Sequence, residues 1–239
     1  MQLNQQLLRH IDKSTMQKVG KELGLFKRGT FIFGSEEETN VLADFCILFA
    51  DGPHAPITRL QRSDSFTPDS HEMQILEAMQ RAVYSVFVFD EINGKGIIKA
   101  HDYLTRNTIV LIDQGLSATS MPNFALATNL IPIPSTNAFM TGGAALPLHI
   151  KDEGGKQEVS AIIARFHSFA EEEGGLSRKR QRLLAKQLIR TLLRHNAMEH
   201  METRKCYCLG KGDASFLLNG VPVERMFVSA NRVIDLGIY

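Results

Sequence analysis

The hydrophobic pattern is helical from the start of the chain: Leu3, Leu7, Leu8 and Ile11 recur at the spacing of one helix face. Ser14-Thr15-Met16-Gln17 reads as a capping box and Gly24 as a C-cap, which predicts a helix over 15–23. A short strand over 30–33 follows. Ser35-Glu36-Glu37-Glu38 opens a helix through Val41, Leu42, Phe45, Cys46 and Phe49, with its acids where the macrodipole favours them. Thr67-Pro68 then supplies an N-cap and first-turn pair for a helix carrying Ile75, Leu76, Met79 and Val83.

The period then shortens to two. VYSVFVF, an INGKG turn and GIIKA predict a β-hairpin. TIVLID, FALATNLIPI and FMTGGAALPLHI predict three more strands. Connections this short leave no room for crossover helices, so the expectation is a small antiparallel barrel or highly curved sheet. Val86, Phe87, Val88, Ile97, Val110, Ile112, Leu126, Leu130 and Leu146 are its expected core or covered outer face.

From Gln157 the period is helical again. Val159, Ile162, Ile163, Phe166 and Phe169 form one stripe, EEEGG breaks it, and Ser177 caps a long helix with Leu184, Leu188, Thr191 and Leu192 inward. The apolar face of that helix suits an intramolecular core or a homodimer seam equally well. SFLLNGVPVE predicts a terminal hairpin whose second strand Pro222 confines to an edge. The fold class is α+β. Its expected segments are helical 1–82, barrel 83–150, and a helical pair with hairpin over 151–239, packed as one unit.

Composition narrows the chemistry. The chain has 239 residues, 44% hydrophobic and 22% charged, with a formal net charge of +1. No global field therefore attracts nucleic acid or an anionic membrane. Three cysteines, two of them one residue apart, make no disulfide framework. The start lacks a signal-peptide apolar region and no apolar run is long enough to span a bilayer. The expected setting is the reducing cytoplasm, with no membrane partner.

Catalytic patterns fail on spacing. QGLSATS lacks the second glycine of a nucleophile elbow at Ser117. TGGAALPL lacks the Lys-Ser/Thr of a phosphate loop, and its glycines suit a sharp bend in the barrel. Asp113 closing a strand and the His101-Asp102 pair remain isolated polar groups. No catalytic residues are assigned, and the leading expectation is a non-enzymatic binding or adaptor protein with a protein partner.

Tyr84-Ser85, Gly94 and Gly96, Asp102 to Leu104, Asp113 with Ser117, and Gly142-Gly143 together resemble a module of uncharacterised bacterial proteins. The match runs over about 35–148. That resemblance implies helices preceding a small β-barrel, and no established activity. Such proteins often end in a SEC-C zinc tail, and Cys206-Tyr207-Cys208-Leu209-Gly210-Lys211-Gly212 looks like its first half; DASFLLNG stands where the second half would be.

Two binding candidates follow. His195, His200, Cys206 and Cys208 are the one set with the atom types of a zinc site. Histidines five apart sit about 140° apart on a helix, however, and Cys-x-Cys is tighter than the usual spacing. No cofactor other than zinc is a candidate. The second is the basic face of SRKRQRLLAKQLIRTLLRH. Arg178, Arg182, Lys186, Arg190 and Arg194 fall at multiples of four, a stripe able to follow nucleic-acid phosphates or an acidic partner. It carries no aromatic platform for bases.

Overall fold

The computed structural model describes residues 3–35, 37–148 and 150–195, and the backbone of 217–218 and 221–222. Its first segment is helical: α1 (Leu3–Arg9), α2 (Lys13–Leu23), α3 (Glu37–Phe49), α4 (Pro56–Gln61) and α5 (His71–Gln80). A two-residue ladder of β1 (Phe26–Lys27) with β2 (Thr30–Phe31) lies between α2 and α3. Asp12, not Ser14, caps α2: its carboxylate accepts from the Thr15 amide at 2.7 Å and from the Ser14 hydroxyl at 2.6 Å. Those bonds hold its pKa down at about 2. Ser70, not Thr67, caps α5. The short α4, with Pro56 in its first turn, is too brief to leave a periodic signal.

The barrel follows. Its strands are β3 (Val83–Ile92), β4 (Ile97–Asp102), β5 (Thr108–Ile112), β6 (Ala125–Pro132) and β7 (Ala138–Thr141), with β8 (Leu146–Pro147) added beside β6. The order β3-β4-β5-β7-β6 closes through a β3–β6 pairing. The expected all-antiparallel arrangement is corrected at one seam, because β5 and β7 pair in parallel. The route between them passes through a short helix, α6 (Gln114–Thr119), and then through β6. A helix therefore does fit in that connection. Five strands thus close a mixed barrel, with a helix between the third and the fourth.

Alternation sorts the barrel residues. Phe87, Phe89, Ile98, Ala100, Leu111, Leu126 and Leu130 fill the interior. Tyr84, Val86, Ala127 and Leu146 face outward into the core shared with the helices. Each fully buried Leu or Phe contributes roughly 1.5–3 kcal/mol. Ile97 and Ile112 depart from expectation: they are cross-strand partners on the open outer face, 44% and 45% exposed. No helix covers β4 and β5 there, so alternation sends these two residues to solvent.

The chain ends its described part in α7 (Glu153–Glu173) and α8 (Arg178–Arg194), joined across Gly174, which closes α7 with φ 67°. Leu184, Leu188 and Leu192 are fully buried within the chain, so this face of α8 closes an intramolecular core. Gln181 on α8 accepts the Tyr84 amide at 2.7 Å, tying the helix to the start of β3. The terminal hairpin is present as β9 (Leu217–Leu218) paired with β10 (Val221–Pro222). No helix among the described residues is long and apolar enough to cross a membrane.

Candidate functional site

The basic face of α8 divides in two. Arg178 lies 5.0 Å over the Phe49 ring and donates to the carbonyls of Ala82 and Leu48. Burial lowers its pKa. Arg182 pairs with Glu22 at 2.8 Å and sits 5.5 Å from the Phe45 ring. These two guanidiniums stitch α8 to α2, α3 and the start of the barrel. Lys186, Arg190 and Arg194 instead line an open cleft of about 830 Å³ between the end of α2, α7 and α8. Each step of four drifts about 40° around the helix, so Arg178 and Arg194 end about 160° apart, and the elements packed on α8 cover only the Arg178 end.

That cleft gathers charge from three elements. Lys27 and Arg165 join Lys186, Arg190 and Arg194, five cations against the two acids Glu38 and Glu158. Glu158 is paired with Arg194 at 2.5 Å, which holds its pKa down, and Glu38 accepts the Gly34 amide. Arg165 donates to Gln187. Lys27 and Lys186 have no ion-pair partner among the described residues. The floor is apolar, formed by Leu23, Leu25, Ile162 and Leu193, and Leu183 stands 43% exposed at its edge. Cations over an apolar floor are suited to an amphipathic anion, with desolvation strengthening each contact.

The polar groups around the barrel are used internally. Asp102 is buried and accepts the Ser85 hydroxyl at 2.6 Å and the Leu104 and Thr105 amides at 2.7 and 2.9 Å. His101, the next residue on β4, points to the opposite face, so the two form no dyad. Asp113 caps α6 through the Leu116 amide and accepts the Thr141 hydroxyl. Ser117 accepts the Gly96 amide at 3.1 Å. Asp113 and Ser117 thus sit at opposite ends of one turn of α6, where they close that end of the barrel.

For the zinc set, His195 is placed and the other three are not. Its Nδ1 lies 2.8 Å from Asp152 Oδ2 and its Nε2 3.7 Å from Glu158. Its ring also packs so closely on Gly155 that an added Cβ there would meet it at 2.8 Å. His200, Cys206 and Cys208 lie outside the described residues. Among the described residues no group of three His, Cys, Asp or Glu is placed to hold a metal. Cys46 is buried, and burial pushes its thiol up to about 12, which makes it a poor nucleophile.

Asp44 went unnoticed in the pattern. It falls three residues after Val41 and four before Leu48, on the apolar face of α3. One carboxylate oxygen accepts the Ala144 amide at 3.1 Å and lies against Gly142, across which stands Asn129. Desolvation pushes its pKa up to about 7, against the pull of that amide. The Tyr84 hydroxyl and Asn129 Oδ1 nearby are buried without a hydrogen-bond partner among the described residues. A charged residue on a helix's apolar stripe is the sequence signal that would have found it.

No curated protein and no solved structure matches the chain. A family model described as a family of unknown function (DUF7986) matches residues 1–153, more than half of the sequence.

Proposed function

We propose that this chain, which belongs to the family of unknown function DUF7986, is a non-catalytic binding protein that docks an acidic, amphipathic protein segment in the cleft between α2, α7 and α8. The observation that carries this reading is the cleft lining: Lys27, Arg165, Lys186, Arg190 and Arg194 above Leu23, Leu25, Ile162 and Leu193. An amphipathic helix presents apolar anchors at i, i+3 and i+4 with charges flanking them, and the cleft offers the complement. The apolar floor favours a peptide over a nucleic acid, whose backbone needs cations but no aliphatic surface.

The test uses fluorescence anisotropy with two probes: a labelled helical peptide with Leu on one face and Glu on its flanks, and a labelled single-stranded oligonucleotide. The peptide binds with an affinity that falls as salt rises, and Lys186→Glu with Arg190→Glu weakens it by about a hundredfold, two charge-assisted contacts at about 1.5 kcal/mol each. Absence of peptide binding at low salt, or binding indifferent to the double substitution, overturns the reading.

A second reading is nucleic acid, since small five-stranded barrels include the oligonucleotide-binding OB barrels. In such barrels the second and third strands carry the binding face. Here that face presents Ile97, Lys99, His101, Val110 and Ile112, with Lys99 held by Glu91 at 2.8 Å. Fold analogy alone supports it. Oligonucleotide binding lost with Lys99→Glu but kept with Lys186→Glu would place nucleic acid there.

A further inference from the structure

A second concavity lies on the other side of α7, against the barrel. Its floor is aliphatic, from Leu148, Ile150, Val159 and Ile163, and its volume is about 640 Å³, within the range of small-molecule sites. At its rim stand His101 and Tyr103, their rings edge to face with centroids 6.0 Å apart. Tyr103 is 42% exposed, a large aromatic left open to solvent. Arg106, Lys156 and His167 complete the rim, and no acid among the described residues lines the groove. Lys156 is paired with Glu153 at 2.6 Å and His167 lies 3.1 Å from Glu171, both acids outside the lining. Arg106 has no ion-pair partner among the described residues.

The groove is pre-formed. A carbonyl oxygen only accepts, so His167 Nδ1 carries the hydrogen in its 2.7 Å bond to Leu104 O. That bond fastens α7 to the turn that carries Tyr103 and Arg106. The two walls are therefore locked in place before any ligand arrives, which removes much of the ordering cost of binding. Arg106 itself has φ 56°, a left-handed conformation that aims its side chain from the turn and is uncommon for a residue other than Gly, Asn or Asp.

We propose that this groove is a binding site for a small amphipathic anion, an apolar or aromatic body seated on Val159 and Ile163 with its carboxylate or phosphate head at Arg106. Charge complementarity fixes the head group's sign, and the aliphatic floor fixes the body. The site is separate from the α8 cleft, so neither proposal depends on the other.

The dye 8-anilinonaphthalene-1-sulfonate is such an anion, and N-phenyl-1-naphthylamine is the same ring system without its sulfonate. Both are titrated against the full chain by fluorescence. Two groove-filling variants, Ala164→Trp and Ser160→Phe, are checked for native circular dichroism and titrated alongside. Arg106→Asn removes the charge while keeping a residue that accepts the left-handed backbone. Saturable binding of both dyes, lost in the folded filler variants, is expected. Arg106→Asn weakens the sulfonate about tenfold and leaves the neutral dye unchanged. Decanoate and phenyl phosphate then compete for the site, and the stronger competitor names the head group. Unsaturable dye binding, binding indifferent to both fillers, equal effects of Arg106→Asn on the two dyes, or displacement by neither competitor overturns the proposal.

Discussion

Replacing Asp44 with Asn should stabilise the protein at neutral and mildly alkaline pH and flatten its stability–pH curve. Asp44 has its pKa raised from 3.8 to about 7 by desolvation on the apolar face of α3. The folded state therefore binds a proton more tightly than the unfolded chain does. Where the folded state holds more protons, stability falls as pH rises. The loss begins near pH 4, runs through about pH 7, and is complete above it. A rise from 3.8 to about 7 corresponds to about 4 kcal/mol at 1.36 kcal/mol per pH unit. Asp44 keeps some contact with solvent, which screens the charge, so about 2 kcal/mol is the realistic span. Asn keeps an oxygen to accept the Ala144 amide at 3.1 Å, so the substitution removes the charge and not the bond.

The assay is urea denaturation of both proteins at intervals from pH 3 to pH 8. The difference between them isolates Asp44, since every other ionisable group is common to both. Asp12, Asp152 and Glu158 have lowered pKa values and act in the opposite sense, their contribution being lost as pH falls through the acid range. The two proteins should match near pH 3 and diverge by about 2 kcal/mol at pH 8, with the variant the more stable. A constant difference across that range, or a wild type that gains relative to the variant as pH rises, would show that Asp44 is not held in a desolvating site.

Other outcomes follow from neighbouring contacts. Tyr84→Phe deletes a buried hydroxyl with no partner among the described residues, so the midpoint of urea unfolding should hold or rise, by up to about 1 kcal/mol. Asp102→Ala strands the Ser85 hydroxyl and the Leu104 and Thr105 amides together, and should cost about 3 kcal/mol in the same assay. Arg178→Ala frees the Leu48 and Ala82 carbonyls and should cost about 2 kcal/mol, whereas Lys186→Ala, about two turns further along α8, should stay within about 0.5 kcal/mol. Equal costs for those two would refute the division of α8 into a stitched end and an open end.

Periodicity carried most of the elements because each buries one face. The stripe Val159, Ile162, Phe166 and the Ser177 cap were readable for that reason, as was the run from Val83 to Phe89. The parallel β5–β7 seam was not, since alternation reports which face a residue takes and never which strand lies beside it. Ile97 and Ile112 were misplaced for a related cause: apolar residues on a strand do not say whether anything covers them. At α8 the limit was different. Five cations at multiples of four wind about 160° around the helix, and arginine's long apolar stem lets Arg178 and Arg182 lie over Phe49 and Phe45 while their heads find carbonyls and Glu22. Lys27 and Arg165, far away in sequence, could not have been joined to Lys186 without the fold.

The net charge of +1 and the cationic cleft are compatible because screening makes charge a local quantity. Over about 10 Å, the Debye length at 0.1 M salt, an arriving acidic segment feels the cleft and little of the rest of the molecule. Within that radius five cations face two acids, one of them already neutralised by Arg194. The near-neutral remainder gives no long-range steering, so association should be slow by electrostatic standards. The affinity should instead reside in dissociation, where the apolar floor and the desolvated contacts hold the segment once it is seated. A partner that binds through this cleft should therefore show a dissociation rate that rises steeply with salt. Its association rate should change little, the reverse of what a uniformly basic protein gives with the same ligand.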